Sequence, residues 1–251
     1  MTAFVLLLLG LSTPFWILGA ANRAQFLPGL PLSAFAAVCP GLAAAVLIGR
    51  AGGWGAVARL GASAFDIARL RPRWWLALCV GLPFAADGAA LAVQRLEGAA
   101  LPHLAVQLGG ALGLTALFLV AAACEELGWT GFALPRLLRR APGLVPGVWL
   151  GLVWAAWHWI PLMQAHRELS WVAWWTLGTV SARVVMTWLY IRGGRSVCGA
   201  ILFHAAINLS WQLYPTHGSA YDPMLSGAAM AAIALGCAAA EFRHRTMTAE
   251  A

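Results

Sequence analysis

The sequence predicts an all-α polytopic membrane protein, a bundle of about eight transmembrane helices forming a single domain over residues 1–251. Three observations carry this. Of the 251 residues, 61% are hydrophobic and only 10% charged, whereas soluble domains hold roughly 45–50% and about 25%. The apolar residues are gathered into runs near the roughly 20 residues that a helix needs to cross a bilayer. The sixteen basic residues are all Arg, mostly in short connections between those runs, where the positive-inside rule expects them. A water-soluble fold is excluded, because so apolar a chain lacks the polar surface to cover itself.

Eight segments follow in order, at 3–21, 31–49, 74–93, 103–135, 144–163, 171–191, 196–213 and 223–240. The first is preceded only by Met1 and Thr2, without a positive n-region, and reads as a retained helix rather than a cleaved signal. The third carries Asp87, the fifth His158, the sixth Arg183, and the seventh His204 and Asn208. The fourth is the longest. Its last third holds Glu125 and Glu126, and Gly128, Gly131 and Pro135 loosen it. Between segments two and three, residues 50–73 read as a solvated topology anchor. An amphipathic helix lying on the membrane is the other reading, with Leu60, Phe65, Ile67 and Leu70 on one side and Arg59, Arg69, Arg71 and Arg73 on the other.

Counting Arg by connection gives orientation. The loops 2/3, 4/5 and 6/7 and the tail carry twelve, against three in loops 1/2, 3/4, 5/6 and 7/8, which predicts both termini in the cytoplasm. The net charge of +7 says nothing of nucleic acid, since no basic run with interleaved aromatics is present. The five cysteines are scattered without CxxC spacing, which argues against a disulfide framework and a zinc knuckle.

Ionisable groups inside spans cost roughly 2.5–3.5 kcal/mol each and mark function. At about 1.5 Å per residue from the nearest cytoplasmic reference, Glu125 lies about 16 Å deep, His158 about 21 Å and His204 about 12 Å. Separate helices thus bring carboxylate and imidazole to similar depths. His204 and Asn208 are i,i+4 and share a helix face, as do Trp154 and His158. Glu125 and Glu126 point about 100° apart, so one should do chemistry while a partner holds the other; both are counted with His158, His204 and Asn208 as candidate catalytic residues. Asp87 is expected outside the site, and His103, His166, His217 and His244 are expected in solvated loops or tail.

A carboxylate, two histidines and an amide suit hydrolysis of an amide bond, with Glu and His activating water and His with Asn stabilising the oxyanion. Glu125, His158 and His204 also form a donor set able to hold Zn²⁺ with a water in the fourth position. Two rival readings are a proton-coupled transporter, since intramembrane Glu and His also make proton relays, and a catalytically silent immunity or scaffold protein.

The run Glu125-Glu126-Leu127-Gly128-Trp129-Thr130-Gly131, then Trp154-x-x-x-His158, then His204-x-x-x-Asn208, resembles the three motifs of the CPBP family, the CAAX protease and bacteriocin-processing (Abi) intramembrane proteases. Tyr190, Gly193 and Gly194 add to the likeness, which covers about residues 120–212 as a catalytic core. The resemblance implies an eight-helix fold with a site open to the cytoplasm, water activated by Glu125 and His158, an oxyanion site of His204 and Asn208, and a hydrophobic or membrane-embedded peptide as substrate. It also implies a metalloprotease by the family's usual label. Two departures stand out. The family's first motif usually carries Arg where Thr130 stands here, and the second usually begins with Phe where Trp154 stands, a change expected only to reshape the wall. The missing Arg leaves Glu126 without a cation. Arg183, nine residues before Arg192 and so about 14 Å deep, matches the roughly 15 Å depth of Glu126 and is expected to hold it, directly or through a water; the other reading has Arg183 bonded to backbone carbonyls or snorkelling to the surface. Without eukaryotic targeting signals the chain reads as a bacterial inner-membrane protein. The HExxH and GxGD patterns of other membrane proteases are absent, and Gly61-Ala62-Ser63 lies in a loop.

Overall fold

The computed structural model describes residues 1–22, 24–27, 29–102, 108–215 and 217–249. Helix α1 (Thr2–Ala21) is followed by a small antiparallel hairpin of β1 (Gln25–Leu27) and β2 (Leu30–Pro31), then a 3₁₀ stretch Leu32–Val38 leading into α2 (Cys39–Ala62). No feature of the hydrophobic pattern points to the hairpin. Gly29, at φ 79°, takes a left-handed conformation that suits its turn. After 3₁₀ turns come α3 (Trp74–Leu96) and α4 (Leu108–Glu126), which passes into a π-helical segment Leu127–Ala133 and α5 (Leu134–Leu138). The bundle is completed by α6 (Val145–Gln164), α7 (Leu169–Arg192), α8 (Val197–Gln212) and α9 (Pro223–Ala249).

Each of the eight predicted segments coincides with a helix, and the all-helical polytopic membrane architecture stands. The part of segment four before Leu108, with His103, lies outside the described residues. Among the described residues five helical stretches are long and apolar enough to cross a bilayer unaided: 2–21, 32–65, 74–96, 109–138 and 223–248. The helices α6, α7 and α8 are not among them. These three carry His158, Arg183, His204 and Asn208, and much of α7 and α8 is buried against their neighbours, so protein rather than lipid surrounds their polar groups.

The predicted break in the fourth span takes the form of the π segment, whose wider turn is common at functional sites. Gly128 lies so close to the backbone of Pro40 in α2 that a Cβ would overlap it. The helix α1 grips α6 by two hydrogen bonds, Trp157 Nε1 to Ser12 Oγ at 2.8 Å and Gln164 Nε2 to the Trp16 carbonyl at 2.8 Å. Phe4 of α1 packs edge-on against Trp129 of the π segment at 5.6 Å. On the other flank Glu241 of α9 accepts from Arg192 at 2.8 Å and from Arg245 at 2.9 Å.

The 2/3 connection is partly what its pattern suggests. The α2 helix turns sharply at Gly53 (φ 65°, ψ −171°), and the chain beyond it lays Leu60 and Leu70 inward. Phe65 and Ile67, grouped with them by sequence, are instead exposed, because 3₁₀ turns at Ser63–Phe65 and Ile67–Arg69 break the α-helical period. The Asp66 carboxylate pins this connection to the start of α8, accepting from Ser196 Oγ at 2.7 Å and from the backbone N–H of Cys198 at 3.0 Å.

Candidate active site

The adjacent glutamates at the end of α4 point in different directions. Glu126 is fully buried. Arg183 of α7 grips it with both terminal nitrogens, Nη1 to Oε2 at 2.7 Å and Nη2 to Oε1 at 2.9 Å. Thr130 Oγ1, one turn on, donates to Oε2, and Arg183 Nη1 is 3.4 Å from the same hydroxyl. The expected contact of Arg183 with Glu126 is therefore present. Thr130 and Arg183 together supply Glu126 with the donors and the charge that the motif's usual Arg would offer. A bidentate fork suits a desolvated carboxylate, since it satisfies both oxygens and both charges at once.

Glu126 also accepts from Nδ1 of His204 at 2.9 Å. A carboxylate can only accept here, so the His204 proton sits on Nδ1 and Nε2 is left for another partner. His158 is fixed likewise: Nδ1 is 2.8 Å from the Trp154 carbonyl, an obligatory acceptor, which leaves Nε2 as the basic nitrogen of a neutral ring. The sequence groups Glu126 with the catalytic residues. The structure instead puts it behind them, away from the cavity lining, as a positioning residue for His204.

Glu125 has the opposite environment. Its Oε2 accepts from two indoles, Trp154 Nε1 at 2.9 Å and Trp129 Nε1 at 3.2 Å, and its side chain lines a cavity of about 220 Å³ together with His158, His204 and Asn208. Two N–H donors on one oxygen leave Oε1 for water or substrate. Asn208 is half-buried, and its amide makes no hydrogen bond among the described residues.

Trp154 joins these groups, so the expectation that it only reshapes the wall is corrected. Its N–H reaches Glu125, its ring lies 4.0 Å from the Arg183 guanidinium, and its edges meet His204 at 5.0 Å and His158 at 5.5 Å. A Phe would keep the cation–π and packing contacts and lose the hydrogen bond. Close packing allows this placement: a Cβ on Gly151 of α6 would sit 3.2 Å from the Cβ of Arg183.

Several site residues are not singled out by the sequence. Trp129 stands four residues after Glu125 as Thr130 does after Glu126, and that i,i+4 relation is a legible signal. Trp157 and Trp175 wall in His158 at 4.6 and 5.4 Å. Asp87, expected outside the site, lies on the cavity wall and accepts from Ser210 Oγ at 2.6 Å. Its i,i+4 neighbours give no hint, because the partner comes from α8.

Among the described residues no three His, Cys, Asp or Glu side chains form a group able to hold a metal ion. Nε2 of each histidine and Oε1 of Glu125 are nevertheless uncommitted, so the donor types themselves suit Zn²⁺.

The cavity runs from Glu125 toward the hairpin turn and the 5/6 and 7/8 connections. Half-buried Gly29, Arg167, Trp171 and Tyr221 line that end. Arg167 lies over the Trp171 ring at 4.6 Å, and burial pushes the Tyr221 phenol up, keeping it a neutral donor. These are the Arg-poor connections. A cytoplasmic opening and cytoplasmic Arg-rich loops are both expected from the sequence, and this direction makes them incompatible.

The fold and site together define a multi-pass membrane protein with a cavity lined by Glu125, His158, His204 and Asn208. Residues 107–210 match the Type II CAAX prenyl endopeptidase Rce1-like family. The chain is also similar to CAAX prenyl protease 2 of Methanococcus maripaludis, 30% identical over 106 residues that make up 39% of each protein. It thus aligns with about two fifths of that curated relative's length. The CPBP likeness read from the three motifs therefore holds over the region containing Glu125, His158, His204 and Asn208.

Proposed function

We propose that this protein is an intramembrane endopeptidase, cutting a peptide bond of a hydrophobic or membrane-embedded peptide in the inner membrane of a bacterium. The observation that carries the reading is the division of labour within Glu125-Glu126: one carboxylate neutralised by Arg183, the other on the cavity wall with an oxygen to spare.

In the reaction, water bound between Glu125 Oε1 and Nε2 of His158 gives up a proton to the carboxylate as its oxygen attacks the scissile carbonyl. The oxyanion is met by the Asn208 amide and by the His204 ring, which its Nδ1–H bond to Glu126 holds in place. Glu125 then returns the proton to the leaving amine. The indole donors hold Glu125 in place through the cycle, and the apolar wall of Trp157 and Trp175 limits water around His158. No step needs a metal. With the Arg-rich loops in the cytoplasm, substrate enters from the outer face.

The test compares membrane peptides by proteomics in cells carrying the native protein or Glu125→Gln. Peptides with new termini should disappear in the variant. An unchanged set would remove the peptidase assignment, and proton-coupled solute uptake lost in Glu125→Gln liposomes would replace it with the transporter.

A further inference from the structure

A second cavity, of about 670 Å³, lies at the opposite, Arg-rich end of the bundle. The second arm of α2, beyond the sharp turn at Gly53, forms one side of it, and residues of the π segment, α5 and the ends of α7 and α8 line the rest. Four arginines line it: Arg59, Arg69, Arg136 and Arg195. Asp66 is the acidic residue in its lining, and that carboxylate is committed to Ser196 and the start of α8. Arg69 approaches Asp66 only to 3.7 Å.

The remaining cations are held without anions. Arg136 lies over the Phe132 ring at 3.5 Å and donates to the Phe132 carbonyl at 2.7 Å, which fixes its guanidinium without neutralising it. The side chains of Arg59 and Arg195 make no ion pair or hydrogen bond among the described residues. Apart from Tyr190, the rest of the lining is apolar or small, with Ile48, Ala51, Leu60 and Val197 among it. On the outside of the same connection Trp54, Phe65 and Ile67 are exposed at 87%, 84% and 48%, as membrane-interface anchors are. The cations therefore sit where a bilayer presents its headgroups.

We propose that this cavity binds the phosphate of an anionic phospholipid, gripped by Arg59, Arg136 and Arg195. Guanidinium forks match phosphate oxygens in pairs, and basic pockets between membrane helices are suited to anionic headgroups. The apolar lining receives the glycerol and the first methylenes. Gly131 of the π segment is part of the same wall, so an occupied cavity braces, from behind, the element that directly follows the glutamates. This site stands or falls independently of the peptidase reading.

The test is thermal unfolding of the purified full-length protein in neutral detergent, titrated with phosphatidylglycerol, phosphatidylcholine or inorganic phosphate. Phosphatidylglycerol should raise Tm with added lipid and phosphatidylcholine should not. Arg59→Gln/Arg195→Gln should weaken the apparent affinity by on the order of tenfold or more, while Arg243→Gln, the loss of one charge on the tail, should not. A Tm rise with inorganic phosphate alone would assign the cavity to a soluble phosphate instead of a lipid. Equal shifts with the two lipids would overturn the proposal even if the double variant failed to fold, as would a double variant that behaves like Arg243→Gln.

Discussion

Trp154 donates its indole N–H to Glu125 at 2.9 Å from a helix 29 residues further along the chain. The bond aims a carboxylate that would otherwise choose among rotamers, and hydrogen bonds to charged groups contribute about 1.5–3 kcal/mol. Trp154→Phe should therefore lower kcat/KM roughly tenfold or more and also lower Tm, even though the cation–π contact survives. Unaltered cleavage by the purified variant would show that Trp129 alone suffices.

Removing either partner of the Glu126–Arg183 pair leaves a buried charge. Glu126→Gln and Arg183→Gln should each destabilise by about 3–5 kcal/mol, and the pair by less than the sum, with coupling above about 1 kcal/mol. Strictly additive losses in denaturant melts would deny that the contact matters.

The same geometry predicts a rescue. Thr130→Arg alone would crowd a second guanidinium against Arg183 and should lower the yield of folded protein. Combined with Arg183→Gln it restores one cation opposite Glu126 and should recover both folding and cleavage above the level of Arg183→Gln alone. A double variant worse than either single one would refute the exchange.

For the reacting groups, Glu125→Gln and His158→Ala should each abolish nearly all cleavage, and together cost little more. Asn208→Ala should lower kcat by roughly 10²–10³ without a matching rise in KM. Added chelator should leave the rate unchanged; loss of activity that zinc restores would show that a metal is required after all.

Access is tested with single cysteines in a cysteine-free chain. A membrane-impermeant thiol reagent applied to intact cells should label His166→Cys, near the cavity mouth, and spare Phe65→Cys in the Arg-rich connection. The reverse pattern would turn the protein over and place the cavity on the cytoplasmic side.

The helices are legible in the sequence because each apolar run approaches or exceeds the length that crosses a bilayer. The site is legible because an ionisable group inside such a run is too costly to persist without a role. Depth arithmetic pairs Arg183 with Glu126 across two helices. It cannot tell which face of α3 Asp87 occupies, nor that Phe65 points outward, since 3₁₀ turns shift the period locally. The direction of the cavity is equally hidden, as it depends on which faces of α3, α4, α6, α7, α8 and α9 meet inside the bundle. Trp154 is harder to read for a simpler reason. Its ring announces a packing surface, while the reach of its N–H depends on where a second helix brings Glu125.

The buried ion pair also bears on how the protein is made. Glu126 is synthesised and inserted 57 residues ahead of Arg183, so α4 enters the bilayer with its carboxylate unmatched. When α7 follows, it carries a guanidinium whose insertion alone costs roughly 2.5–3.5 kcal/mol. Neither helix is comfortable in lipid until the two meet. Their union therefore works as an assembly checkpoint: a chain in which α7 has docked elsewhere exposes a charge inside the membrane, a mark by which quality-control machinery can distinguish it from the finished bundle.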